Sequence, residues 1–258
     1  MNHARPPQKI RKPRLPLLDG QQPSKEVVRC LLNMAAYSDK AAIEAYVGPI
    51  AYNELGGGSL NLLLKAIDPE TGDSALHRAA AADNIGAVSA MAAAFGPQLD
   101  QRPADERLKW VLITHQNHAG DTALHVAARA GSRRSATMIY RWFHGDGFED
   151  LENASRGPDS DWPSAENWDW HGLNGENKPA LVFICMKNKA GRDAVAEAHQ
   201  NGHADLAQWL EELAAQLDVD HERTDAAAMR QNEILDLQMH WCLDDDDDAG
   251  TMGVEDLH

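Results

Sequence analysis

An all-α solenoid of about four helix-turn-helix repeats with β-finger loops, the first repeat degenerate, is the fold class predicted by three observations. One phrase occurs twice and returns a third time in altered form: Gly72-Asp73-Ser74-Ala75-Leu76-His77-Arg78-Ala79-Ala80, Gly120-Asp121-Thr122-Ala123-Leu124-His125-Val126-Ala127-Ala128 and Gly191-Arg192-Asp193-Ala194-Val195-Ala196-Glu197-Ala198. Each phrase opens on a glycine suited to a tight finger turn and continues into a small-residue helix. Each is then followed by a turn and a second stretch of helical periodicity, so every unit buries its apolar face against its neighbours.

Taken in order, residues 1–24 are rich in Pro and base, lack periodicity and are expected to be a disordered basic arm, with Lys9 to Arg14 suited either to a solvated tail or to nuclear import. From Glu26, the residues Val27, Leu31, Met34 and Ala35, then Ala42, Ile43, Tyr46 and Val47, give a helix pair interrupted at Ser38-Asp39. This pair lacks the His and the finger glycine and is taken as a degenerate capping repeat. Gly56-Gly57-Gly58 marks a break before Leu60 to Ala66. The first full repeat has a finger at Asp68 to Asp73, an inner helix from Ser74 to Ala82 and an outer helix carrying Val88 and Met91.

The second repeat runs from about His115 to Phe143, its inner helix spanning Thr122 to Ala130 with Gly131 as C-cap. The third begins near Lys187, with an inner helix around Ala194 to Asn201 and an outer helix carrying Leu206, Trp209, Leu210 and Leu213. This is the grammar of the ankyrin-repeat family, whose ordinary period is about 33 residues. The finger glycines here are separated by 48 and 71 residues. Pro97 to Asp105 is the natural place for the first surplus, and residues 144–178 form the second. The ankyrin-repeat domain is therefore expected over 25–215, followed by a capping helix within 216–241 and an acidic disordered tail over 242–258.

Composition narrows the function. The formal charge is −16, and beyond Arg14 the chain carries 19 bases against 40 acids. Such a balance disfavours direct nucleic-acid binding and favours a basic protein client, solubility being the other use of the charge. Cys30, Cys185 and Cys242 are odd in number and form no Cys-x-x-Cys pair, and no apolar run approaches the length of about 18 residues that a membrane span needs. A reduced, soluble, cytoplasmic or nuclear protein, monomeric when free, is expected.

No catalytic, metal or cofactor site is expected. A nucleophile elbow and a phosphate-cradling loop are both lacking. His77 and His125 read as structural groups of the repeat phrase, His115-x-x-His118 has no companion ligands at metal spacing, and His199 and His203 read as surface residues near a helix end. Partner binding is instead expected at the fingertips and the inner-helix face, on Glu70, Thr71, Arg78, Asn117, His118, Arg129, Lys189 and Glu197. Residues 144–178 carry Trp162, Trp168 and Trp170 among carboxylates, suited either to clamp Lys and Arg by charge and cation–π contact or to fold back over the second repeat. Asp244, Asp245, Asp246, Asp247 and Asp248 form a second acidic candidate.

The last repeat has a distinctive wording, Asn188-Lys189-Ala190-Gly191-Arg192-Asp193-Ala194-Val195-Ala196-Glu197-Ala198, then Gly202, an outer helix and an acidic tail. With the degenerate first repeat and two Ala-Leu-His repeats, it resembles the fungal ankyrin chaperones dedicated to ribosomal protein three of the small subunit. The resemblance covers about residues 25 to 215, its specific part being the last repeat. It implies a non-enzymatic chaperone that shields a newly made basic ribosomal protein without nucleotide or metal. The basic arm and the 144–178 insertion have no counterpart in that family, which leaves a signalling or transcriptional scaffold as the alternative.

Overall fold

The computed structural model describes residues 22–55, 59–95, 103–144 and 178–218. Among the described residues there are helices and one isolated antiparallel bridge, Ile67 to Ser74, which closes the base of the first finger. The first pair is α1 (Lys25–Tyr37) and α2 (Lys40–Leu55). Ser24 caps α1 by accepting the Val27 N–H, and Val27, Leu31, Leu32 and Ala35 form its buried stripe. Helix α2 continues past Val47, through Gly48-Pro49, to Leu55.

A third helix follows each of the first three pairs, which the repeat phrase does not announce. It is α3 (Ser59–Lys65) after the first pair. After α4 (Ala75–Ala81) and α5 (Ile85–Ala94) it is α6 (Pro103–Ile113), which takes in Pro103 to Asp105 of the expected surplus, while 97–102 lie outside the described residues. After α7 (Ala123–Ala130) and α8 (Arg133–His144) it is α9 (Lys178–Cys185), and the last pair is α10 (Ala194–Gln200) and α11 (Ala204–Leu217). These third helices carry unbroken apolar runs, Leu62-Leu63-Leu64, Leu112-Ile113 and Leu181-Val182-Phe183-Ile184, all buried. A run apolar on every side has no amphipathic period to reveal it.

The inner helices α1, α4, α7 and α10 stack in sequence, and α2, α5 and α8 stack behind them. Helix α9 packs against α8 and α11, where Phe143 and Phe183 lie parallel at 4.7 Å. One continuous core threads the stack, from Leu31 through Leu76, Leu124 and Met138 to Leu210 and Leu213. Alanine at 79, 80, 127, 128 and 198 lets the inner helices approach closely, because each is buried and none carries more than a methyl group. None of the described helices is long and apolar enough to cross a membrane. The basic arm up to residue 21, most of the insertion, the capping-helix segment from residue 219 and the acidic tail lie outside the described residues.

Candidate functional site

Three fingers line one side of the stack, at 68–73, 116–121 and 187–192, and they are joined in register by the same backbone bond. The His118 N–H donates to the Thr71 carbonyl at 2.8 Å, and one unit on the Lys189 N–H donates to the Ala119 carbonyl at 2.9 Å. Side chains repeat the pattern: Asn117 Nδ2 donates to Asp73 at 2.8 Å, and Asn188 Nδ2 to Asp121 at 2.8 Å. Inside each finger, an Asp or Asn holds the turn, with Asp68 accepting the Glu70 N–H, Asn117 those of Ala119 and Asp121, and Asn188 those of Ala190 and Arg192. The Glu70 N–H is the chief reason that the Asp68 carboxyl lies below its ordinary range; burial opposes it and Arg78 assists.

The finger glycines are positioned by φ and by space. Gly72 and Gly120 have φ of +76° and +79°, and a Cβ there would meet the next finger, 2.7 Å from the His118 nitrogen and 2.8 Å from that of Lys189. Only glycine combines this backbone with so close an approach.

Histidines fasten each unit to the next. Ser74 and Thr122 N–H groups donate to Nδ1 of His77 and His125, which leaves Nε2 as the donor to the Asp121 carbonyl at 2.9 Å and to the Arg192 carbonyl at 3.1 Å. Burial pushes His77 down to about 4 and His125 down as well, the neutral tautomer that this bonding requires. His115 Nε2 donates to the Gly72 carbonyl and His118 Nδ1 to the Glu70 carbonyl, so the pair holds two points of the preceding finger. Among the described residues, no group of three His, Cys, Asp or Glu is placed to hold a metal. His203, expected at the surface, instead donates through Nε2 to the Arg129 carbonyl and fills the space beside Gly131.

The inner-helix charges are mutually engaged. Arg78 reaches Asp68 at 2.8 Å and Asp73 at 3.4 Å. Arg129 bonds Asp121 at 2.7 Å and Glu197 at 3.0 Å, and Glu197 also takes Asn188 Nδ2 and Arg192 Nε. Expected on the open surface, Glu197 is 1% exposed. Burial alone would raise its pKa, but the bonds from Arg129, Arg192 and Asn188 outweigh it and hold the carboxyl at about 2. Glu197 is therefore drawn inward by two guanidinium groups from different units, a role that also explains the wholly buried Asp121, which the sequence reading did not single out. The recurring Asn117 and Asn188 were the available signal.

Of the candidate residues, Glu70, Thr71, His118 and Lys189 are exposed, and Arg78, Asn117 and Arg129 are half-buried. Trp162, Trp168, Trp170 and Asp244 to Asp248 lie outside the described residues. Charge is distributed unevenly between the two sets: the described residues carry seventeen acids and fifteen bases, whereas 145–177 carries nine acids against one base and 219–258 twelve against two.

No family model matches the chain, and no curated protein does. A solved structure, that of the yeast ribosomal protein Rps3 in complex with its chaperone Yar1, contains a chain to which this one is similar, with a TM-score of 0.43 and 19% identity over 74% of this chain and 94% of that one.

Proposed function

We propose that this chain is an ankyrin-type, non-enzymatic binding protein that captures and shields a basic protein client, a newly made small-subunit ribosomal protein, in the cytoplasm or nucleus. The observation that carries this reading is the division of charge. The helical stack is nearly neutral, and the acidic excess resides in 145–177 and 219–258, which follow the outer helices α8 and α11. An outer helix returns antiparallel to its inner partner, so α8 and α11 both end on the finger side of the stack. Carboxylates concentrated in these two segments favour a cationic client by long-range attraction and replace the RNA phosphates to which such a client would otherwise bind.

The engaged charges of the inner face support a scaffold rather than a reaction centre, since Arg78, Arg129 and Glu197 are each committed to structural ion pairs. The reading is tested by co-purification of the tagged chain at low salt with RNase treatment and mass spectrometry. One dominant basic ribosomal protein, without the rest of the ribosome and lost as salt rises, is the expected result. A mixture of signalling or chromatin proteins, bound independently of salt, overturns it in favour of the scaffold.

A further inference from the structure

Among the described residues, the finger row has an open end. At the first two fingers, the carbonyls of Thr71 and Ala119 accept the N–H of the following finger. The equivalent group on the third finger is the Ala190 carbonyl, which no described residue approaches as a donor. The glycines agree: where Gly72 and Gly120 are crowded by the next finger, Gly191 has the same backbone, φ +75°, with nothing within 4 Å of a Cβ. Further along the same flank, Gly131 is covered by His203, whereas Gly202 has nothing within 4 Å. In the last inner helix, Ala196 occupies the register of His77 and His125, so no imidazole reaches outward for a further carbonyl.

The third finger also differs in charge. Equivalent tip positions run Asp68, Gln116, Lys187 and Glu70, His118, Lys189, so the row passes from acidic to basic. Lys187 and Lys189 are both exposed, and among the described residues neither has an ion-pair partner. Arg192, beside them, is committed to Glu197. A carbonyl with no donor among the described residues, flanked by two exposed ammonium groups, is complementary to an extended chain that offers an N–H and carboxylates together.

We propose that the third finger is a docking edge for an extended acidic segment of a partner protein, which donates a backbone N–H to the Ala190 carbonyl and sets carboxylates against Lys187 and Lys189. The partner then adds to the row as a fourth finger would. This rests on the binding-protein reading but is independent of the client's overall charge. It assigns the acidic stretch to a second partner, distinct from the basic client drawn to 145–177 and 219–258.

The test uses the full chain and a fluorescein-labelled octapeptide of alternating Glu and Val, read by anisotropy at low salt. The expected result is saturable binding that weakens by roughly tenfold when alternate peptide amides are N-methylated and by at least as much in the K187E/K189E variant. A Lys-Val octapeptide should not bind this edge. Should K187E/K189E fail to fold, the N-methylated peptide against the unaltered chain keeps the test decisive. Equal affinity for the methylated and unmethylated peptides, or none for either, overturns the proposal. So does binding that emerges only when Asp244 to Asp248 are replaced by Asn in the full chain, because the chain's own acidic run is then the occupant. Capture of the basic client by the unaltered chain, measured in parallel, reports on the proposed function separately.

Discussion

His77 and Asp121 are 44 residues apart in sequence, yet His77 Nε2 lies 2.9 Å from the Asp121 carbonyl oxygen. The bond joins the inner helix of one unit to the finger of the next, and His125 repeats it toward Arg192 at 3.1 Å. Each histidine thus satisfies its own helix start with Nδ1 and its neighbour's finger with Nε2. Replacement of His77 by Ala removes both and takes the Nδ1 acceptor from the Ser74 N–H, while the Asp121 carbonyl keeps the Asn117 N–H, so a loss of about 1–3 kcal/mol is expected. Urea denaturation of the variant measures it; a loss below about 0.5 kcal/mol would show that the imidazole is not what couples the units.

Acid should weaken the stack in two successive windows. His77 is held neutral at about 4, against an ordinary value of 6.5, with His115, Asp73 and Asp121 as its charged or titratable neighbours. Between those values, the unfolded chain binds a proton that the folded chain refuses, so stability falls as pH drops, by up to about 1.4 kcal/mol per pH unit for each such histidine. His125, also depressed by burial, acts in the same direction. Glu197, at about 2 against 4.5, adds stability above 4.5 that is lost as pH falls toward 2. Chemical denaturation at stepped pH should therefore show decline beginning below about 6.5, and replacement of both histidines should flatten the upper window.

The two finger glycines Gly120 and Gly191 separate backbone strain from crowding. Both have left-handed φ, so alanine at either incurs a conformational cost of about 1 kcal/mol. At Gly120, the new methyl also meets the Lys189 nitrogen at 2.8 Å, whereas at Gly191 it meets nothing. G120A should therefore be less stable than G191A by an additional 1–3 kcal/mol or so, the usual cost of overpacking. Equal melting temperatures for the two variants would mean that the second and third fingers do not make this contact.

The inner and outer helices were legible because the repeat phrase combines a cap, a small-residue face and a C-terminal turn, each with a local cause. Ser74 and Thr122 lie just before the helices that they were expected to start. The third helices were not, since Leu181-Val182-Phe183-Ile184 is buried on all sides and carries no period. Glu70, Thr71, His118 and Lys189 are exposed at the finger tips, whereas Glu197 and His203, also expected at the surface, are not. Those two are turned inward by Arg129, through its side chain and its carbonyl respectively, and a partner some 70 residues away leaves no mark on local sequence.

Leu124 tests whether the stack unfolds as one unit. It is fully buried in the second inner helix, between neighbours on both sides. L124A should cost about 2–5 kcal/mol, depending on how far the alanine-rich helices collapse into the space. Because each unit buries its face only against the next, loss at the middle should release both flanks, and circular dichroism should show a single lowered transition. Two separated transitions would show that the first two units fold without the last two.

Glu197 gives the sharpest separation between stability and binding. Its carboxylate accepts from Arg129 Nε at 3.0 Å, Arg192 Nε at 2.8 Å and Asn188 Nδ2 at 2.7 Å, and it is 1% exposed. Glu197→Gln keeps the shape but replaces a charged acceptor of three bonds with an amide that must present an N–H to one of the donors. Each guanidinium remains more than a third exposed, so water offsets part of the loss, and a cost of about 1–3 kcal/mol is expected rather than the larger one of an isolated buried charge. As pH falls from 4.5 toward about 2 the variant and the parent should converge, because the unfolded parent takes up a proton that folded Glu197 refuses. Client capture at neutral pH, measured well below the melting temperature, should be unchanged, since a buried carboxylate offers a partner nothing to touch. A large drop in client affinity with full retention of stability would return Glu197 to the binding surface.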